Sequence, residues 1–440
     1  FSIEKKDQYV VKINPILHFE SGQDDSGMIW NNKRGIEIKG NIGGFEKGIG
    51  FYSMLTENQT LLPYPYRYFT DSLNFVPNEF FYKRFKNKGA VDFFQARGYI
   101  TFNAVKNYVK FQFGHDKNKI GNGYRSLILS DFAPQYLFLK INTDVDRFHY
   151  QNLFAQFTDN GPIMSNVLFG KRYGAFHRLS YQFRSNLIFG INEMVIFDRI
   201  DSTQSNQFDF NYLNPVIFYR SIESNLGSRD NSMIALDGSW AIRNRYILYG
   251  QLVLDEFNLK FLKSNPDWWG NKYAYQLGFR FLDFLKLNNL DINVEYNRCR
   301  PFTYSHMRPT QSFSHFNQAL AHPLGANFSE IITDIRYKFK NWQGHLTVLY
   351  AKMGRDSALN GRNYGSNILR PYTTRFSDYG SVMYVGQVTE LLSANATFSY
   401  QIKTGIFADA TINYRKITGS DNLFFSLGLR VNSHIKRFDY

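Results

Sequence analysis

The chain has 440 residues, a formal net charge of +14, and 18% aromatic residues, with 43 Phe and 30 Tyr. Its uninterrupted apolar runs are only a few residues long, far short of the ~20 needed for a membrane helix, so a helical membrane protein is excluded. A mean hydropathy of −0.38 beside so many Phe and Tyr is unusual for a soluble enzyme and expected of a transmembrane barrel, in which only alternate residues face lipid.

Phe1 opens the chain with neither Met nor a basic-then-apolar leader, which fits a mature exported protein. From there, alternating or partly alternating segments predict strands near 8–19, 34–42, 47–55, 92–103, 109–114, 135–142, 148–157, 173–184, 187–197, 232–242, 245–255 and 272–283. A clear strand follows, with Leu290, Ile292, Val294 and Tyr296 set against Asp291, Asn293, Glu295 and Asn297. Next come 329–339 and 342–352, and then Leu392, Ala394, Ala396, Phe398 and Tyr400 against Ser393, Asn395, Thr397 and Ser399. Ile406, Ala408, Ala410, Ile412 and Tyr414 alternate with Asp409, Thr411, Asn413 and Arg415, and Leu423, Phe425, Leu427, Leu429 and Val431 with Ser426, Gly428, Arg430 and Asn432. Period-two alternation of this length describes strands with a different solvent on each side. The tally is about eighteen, an even number as single-chain bacterial barrels require.

Connection lengths test the same reading independently. Gaps after even-numbered strands are tight, as at Ser185 to Asn186, Arg243 to Asn244 and Lys340 to Asn341; gaps after odd ones are mostly long, notably 56–91, 115–134, 198–231, 256–271, 298–328 and 353–385. The expected fold is all-β: a transmembrane antiparallel outer-membrane β-barrel with short periplasmic turns and long extracellular loops. One barrel accounts for 1–440. The segment after the last strand closes on Phe438 and Tyr440 and looks like the aromatic signal read by barrel-insertion machinery.

The inward positions carry both signs of charge: Glu37, Asp237, Asp291, Glu295, Asp334 and Asp409, with Lys39, Arg178, Arg184, Arg280, Arg336, Lys338 and Arg430. Asp291 and Glu295, four apart on one strand face, lie roughly 13 Å from each other, too far for a glycosidase pair. Ion pairing inside a narrow or plugged barrel is the better account. His306, His315 and His322 share a loop but match no metal-ligand spacing, and loop packing is favoured. Cys299 is alone, so it forms no intrachain disulfide and is expected as a free buried thiol. Gly121 and Gly123 beside Lys117 and Lys119 make a glycine turn without the strand-to-helix context of a phosphate loop. No nucleophile elbow, HExxH or nucleic-acid-binding pattern occurs, so a non-catalytic protein with neither cofactor nor metal is expected, and nucleic acid is not an expected partner.

The long loops concentrate rings and amides: Tyr64 and Tyr66; Tyr212, Asn214, Tyr219 and Arg220; Trp268 and Trp269; Tyr304 and Arg308. Flat rings stack on sugar faces and Asn or Arg bonds to hydroxyls, which makes these candidate glycan contacts. The competing account is an interface girdle or loops folded into the lumen. The net charge implies anionic surroundings, such as lipopolysaccharide or an acidic polysaccharide.

The segments Tyr212 to Arg220 (YLNPVIFYR), Leu226 to Asn231 (LGSRDN), Tyr249 to Asp255 (YGQLVLD) and His322 to Glu330 (HPLGANFSE) resemble Bacteroidota outer-membrane proteins of the capsule-assembly Wzi-like family, including gliding-motility RemB-like proteins. The resemblance implies an eighteen-stranded barrel that holds capsular polysaccharide at the cell surface. Enterobacterial Wzi proteins also carry a periplasm-facing helical bundle, and the short turns of this chain show no helical pattern, which puts a periplasmic docking role in doubt. Three functions compete: a surface-polysaccharide binding barrel, a barrel subunit of a larger gliding or type 9 secretion machine with protein partners in the outer membrane, and a porin-like diffusion channel.

Overall fold

The computed structural model describes residues 1–5, 8–44, 48–73, 75–85, 89–159, 169–198, 207–214, 230–256, 258–356, 361–435 and 438–439. Eighteen antiparallel strands form one closed barrel. In chain order they are β1 (Tyr9–Asp24), β2 (Gly27–Ile42), β3 (Ile49–Leu61), β4 (Ala90–Val105), β5 (Val109–Asp116), β6 (Tyr136–Val145), β7 (Phe148–Thr158), β8 (Lys171–Arg184) and β9 (Leu187–Phe197). The circuit continues with β10 (Asn231–Ile242), β11 (Tyr246–Leu254), β12 (Tyr273–Phe281), β13 (Leu290–Cys299), β14 (Phe328–Phe339), β15 (Trp342–Arg355), β16 (Gln387–Lys403), β17 (Ile406–Ile417) and β18 (Ser420–Val431).

Each strand pairs with its sequence neighbours, and β18 closes on β1 from Leu17↔Val431 to Gln23↔Phe425. Below that seam the same edge of β1 is taken by Ser2–Lys5, from Ser2↔Lys12 to Lys5↔Tyr9. Pro15 falls where one partner ends and the other begins, so its missing N–H forfeits no ladder bond. Its carbonyl accepts from Asn432 Nδ2 at 2.9 Å.

Alternation assigns the faces. On β18, Leu423, Phe425, Leu427 and Leu429 are exposed outward, while Asn422, Phe424, Ser426 and Arg430 are buried inward. The same outward apolar surface recurs round the circuit, with Phe19, Ile36, Leu55, Ile100, Phe113, Ile191, Leu248, Leu277, Val294, Tyr350 and Phe398 exposed. Short connections join β2–β3 and every later even-to-odd pair on one rim; at β10–β11 the turn has Arg243 at φ 49° and Asn244 at φ 55°, the positive-φ pair that matches hairpin twist.

Long connections cross the other rim, with two exceptions that the alternation did not reveal. β1 and β2 are joined by Asp25–Ser26 alone, and β17 and β18 by Thr418–Gly419. The strands continue past their alternating stretches because polar residues enter the outward face before the ladder ends. Arg34 and Glu57, opposite one another on the outward face of β2 and β3, form an ion pair at 2.9 Å, half exposed. Once both faces meet polar surroundings, the two-sided contrast that betrays a strand disappears. The helix Tyr64–Leu73 lies at this long-loop rim.

Leu427→Arg, in the outward apolar belt, is expected to destabilise the barrel by roughly 2–4 kcal/mol in urea titrations in lipid vesicles. Asp421→Arg, outward but at the long-loop end of the same strand, is expected to change little.

Candidate functional site

The lumen is not an open tube. Two connections, 117–135 after β5 and 300–327 after β13, fold inward and fill its long-loop half. Leu127, Ile128, Leu129, Phe313 and Leu320 have no exposed surface and pack on inward wall residues including Phe138, Leu153, Phe157, Phe176, Met194, Ile196, Val253 and Ile332. The wall at this height is apolar on its inner face too, so the plug is a second hydrophobic core enclosed by the sheet. The two loops are tied to each other by Ser130 N–H to the Leu320 carbonyl at 2.8 Å and by Tyr304 OH to the Leu127 carbonyl at 2.6 Å.

Polar wall side chains receive the backbone groups that the irregular loops leave unpaired, as a buried loop requires. The Glu295 carboxylate accepts from Tyr124 N–H at 2.7 Å, Arg125 N–H at 3.0 Å, Tyr249 OH at 2.8 Å and Asn297 Nδ2 at 2.9 Å. Gln251 accepts from Leu127 N–H at 2.7 Å and donates to the Ile120 carbonyl at 3.1 Å. Arg172 donates to the carbonyls of Thr310 at 2.6 Å and Ser312 at 2.9 Å. Arg125 joins Glu330 at 3.2 Å and Asp439 at 3.1 Å, and His322 bonds Glu330 at 2.8 Å. Glycines allow this close approach: a Cβ at Gly123 would lie 2.5 Å from Glu295 Oε2 and one at Gly121 2.0 Å from Gln251 Nε2.

The segment after β18 also turns inward. Phe438 packs on Tyr66 and Phe424 at ring distances of 4.9 and 5.2 Å, and Asp439 accepts from Tyr124 OH at 2.6 Å. Phe438 thus belongs to the lumen, and Tyr440, the terminal aromatic of the insertion-signal reading, lies outside the described residues.

Below the plug, a polar chamber of about 550 Å³ opens toward the short-turn rim, bounded by β13 to β16, β18 and the segment that follows it. A second space of about 350 Å³ is lined by Asn41, Thr101, Asn103, Lys110, Gln112 and Asn142.

The sequence-predicted lumen charges lie on the inner face, Arg184 and Lys338 exposed near the short-turn rim and the others in several kinds of partnership. Arg178 pairs with Asp237 at 2.7 Å, Arg430 with Asp409 at 2.7 Å, Arg336 with Asp334 at 2.8 Å and Lys39 with Glu37 at 2.8 Å. Arg280 instead donates to the Asn122 carbonyl at 3.1 Å, and Asp291 accepts from Asp283 N–H at 3.2 Å. For Glu295, ion pairing is replaced by the N–H, hydroxyl and amide donors just described.

The candidate glycan contacts divide. Tyr66, Tyr212 and Tyr304 are buried, with their hydroxyls bonded to the Phe438 carbonyl, Asp230 and the Leu127 carbonyl, so they pack the structure rather than offer a surface. Tyr212 stacks on Phe197 of the outward wall at 4.2 Å, so the described stretch 207–214 lies against the outside of the barrel. Tyr64, Asn214 and Arg308 are exposed, and Tyr219 and Arg220 lie outside the described residues. Trp268 and Trp269 are half-buried in a cluster at the long-loop rim. Tyr372 approaches Trp269 at 4.8 Å, Phe261 approaches Trp268 at 4.7 Å, and the Arg375 guanidinium sits 4.3 Å from the Trp269 ring centre.

Sequence reasoning missed the plug of 117–135. Its one signal was Leu127-Ile128-Leu129, an aliphatic run inside a long, otherwise polar connection. The three loop histidines go to separate environments, His306 beside Tyr372, His315 among Phe80, Tyr136 and Phe157, and His322 on Glu330. Cys299 is free and buried.

No family model matches the chain, and no curated protein matches it. Solved structures do. The Escherichia coli protein Wzi, described as a carbohydrate-binding β-barrel involved in group 1 capsule assembly, aligns over 96% of this chain and 85% of its own with a TM-score of 0.58 and 12% identity. Pseudomonas aeruginosa OpdK, solved with vanillate, aligns over 96% and 98% at 0.53 and 8% identity. OprD of the same organism aligns over 96% and 94% at 0.50 and 10% identity. The chain has the fold of outer-membrane β-barrels. At such identities the likeness is one of fold alone.

Burial sets a pH limit on the plug. Desolvation pushes the His315 imidazole down to about 3 and, with Lys272 adding to it, His306 down to about 4. His315 Nδ1 accepts Thr158 N–H at 2.9 Å, which requires the neutral ring. Both groups take up protons more readily when unfolded, so their contribution is present above the ordinary histidine range and is lost as pH falls from about 6.5 toward 4. Amide exchange in 300–327 is expected to accelerate over that window, and His315→Asn is expected to weaken the dependence.

Proposed function

We propose that this chain is a non-catalytic outer-membrane barrel, Wzi-like in role, that holds surface polysaccharide on its long-loop face, with those loops outside the cell and the tight turns in the periplasm. The observation that carries the reading is the plugged lumen capped by the Trp268, Trp269, Tyr372 and Arg375 cluster. A lumen half filled by a bonded hydrophobic core favours retention at the surface over diffusion through it. Partly exposed indoles supply ring surface for sugar rings, and the Arg375 guanidinium, held by Asp378 and the Tyr372 carbonyl, fixes the Trp269 ring. The net charge of +14 favours an anionic polymer and lipopolysaccharide neighbours, and the sequence resemblance to Bacteroidota capsule-assembly proteins points the same way.

The test is retention of labelled capsular polysaccharide by the purified barrel. Trp268→Ala with Trp269→Ala is expected to weaken it roughly tenfold or more, while Trp342→Ala, on the outer wall near the tight turns, leaves it unchanged. Unaltered retention in the double variant would overturn the loop-surface reading. In planar bilayers the native protein is expected to be silent, and Arg125→Ala, which leaves Glu330 buried without its cation, is expected to raise conductance events; a steady open current from the native protein would favour a channel.

A further inference from the structure

The chamber beneath the plug lies on the opposite rim from the loop surface, and its chemistry differs from that surface. Gln343 and Thr347 on β15 and Asn395, Thr397 and Ser399 on β16 give it a wall of amides and hydroxyls. Its lining charges are balanced: Asp291 and Lys338, which form no ion pair among the described residues, carry opposite signs, and the other charges facing the space are paired. Asp334 holds Arg336 at 2.8 Å and His345 at 2.6 Å, and Asp409 holds Arg430 at 2.7 Å. Such pairs project little net field into the space, so it selects neither cations nor anions strongly, yet their remaining donor and acceptor positions stay usable. Tyr124 of the plug and Phe438 add ring surface to the same lining.

The geometry points to a second binding site here, for an uncharged, hydroxyl-rich ligand, a neutral oligosaccharide of a few rings, admitted from the short-turn rim. A volume of about 550 Å³ falls in the ~300–1,000 Å³ range of small-molecule sites. Each sugar hydroxyl both donates and accepts, so it can replace a chamber water on Gln343, Thr347 or Asn395 without leaving the protein group unpaired. Asn289, Lys338 and Gln343 lie at or beside the tight turns β12–β13 and β14–β15, which sets the mouth at that rim. The plug above makes the chamber blind, so a ligand there is held and does not pass through. This site is separate from the loop surface and does not depend on what that surface binds.

The experiment is saturation-transfer NMR and calorimetry on the whole barrel in detergent, with maltotriose and cellotriose as neutral probes and a uronate trisaccharide as the acidic one. Saturable binding of a neutral probe is expected, weakened at least tenfold by Gln343→Trp at the mouth and severalfold by Thr347→Val, which removes one hydroxyl at nearly constant volume. Trp269→Ala is expected to leave it unchanged, so failure of the loop-surface reading is distinguished from failure of this one. Heat-modifiable gel migration verifies that each variant is folded, and Thr347→Val carries the test should Gln343→Trp not assemble. No saturable binding of either neutral probe, binding indifferent to both chamber variants, or preference for the uronate overturns the proposal.

Discussion

Glu295 sits on the inner face of β13 with no exposed surface and no cation within salt-bridge distance among the described residues. Its two oxygens are taken by the backbone N–H groups of Tyr124 and Arg125, the Tyr249 hydroxyl and the Asn297 amide. An isolated carboxylate in such a place would be costly; one surrounded by four donors fixes whatever carries those donors. Here it fixes the deepest point of the 117–135 connection. On the neighbouring strand, Glu330 takes the Arg125 side chain and His322, so one pair of wall carboxylates gathers both plug loops and, through Asp439, the segment after β18.

That arrangement divides the barrel along its axis. Toward the long loops the inner wall is apolar and the plug packs on it as a core; toward the tight turns the inner wall is amide, hydroxyl and paired charge, and open chambers remain. The outer wall keeps its apolar belt throughout, except where Arg34 and Glu57 interrupt it and where the described stretch 207–214 lies against β8 and β9 through Tyr212. One sheet therefore presents several environments: lipid-like outside, a dry plug, a polar chamber, and a loop surface rich in indole and guanidinium.

The strands were legible because their cause is local. Leu423 to Val431 reads as a strand from its own alternation, whatever its neighbours are, and the same holds for Leu290 to Tyr296. Where the cause is not local, the reading failed in a defined way. The hairpin tips at Asp25–Ser26 and Thr418–Gly419 were missed because polar residues interrupt the outward face there, Ser21, Gln23, Asn32 and Arg34 at the first and Lys416 and Asp421 at the second. Tyr66, Tyr212 and Tyr304 looked like sugar-stacking rings, since composition cannot distinguish a ring on a loop from a ring under one. Trp268 and Trp269 survive as candidates because their partners leave them partly exposed.

By itself, the sequence determined the all-β architecture, a strand number of about eighteen, which side chains face inward, and the division into a short-turn rim and a long-loop rim. Each follows from period-two patterning or from spacing along the chain. Only the tertiary structure decided that the lumen is plugged, that Phe438 turns inward, and that Glu295 is held by backbone donors instead of a cation. Those features join residues 170, 171 and 315 positions apart, and no periodicity records such a pairing. It arises when closure of the sheet brings an apolar inner wall round two loops that carry Leu127 and Phe313 and gives them a place to be buried.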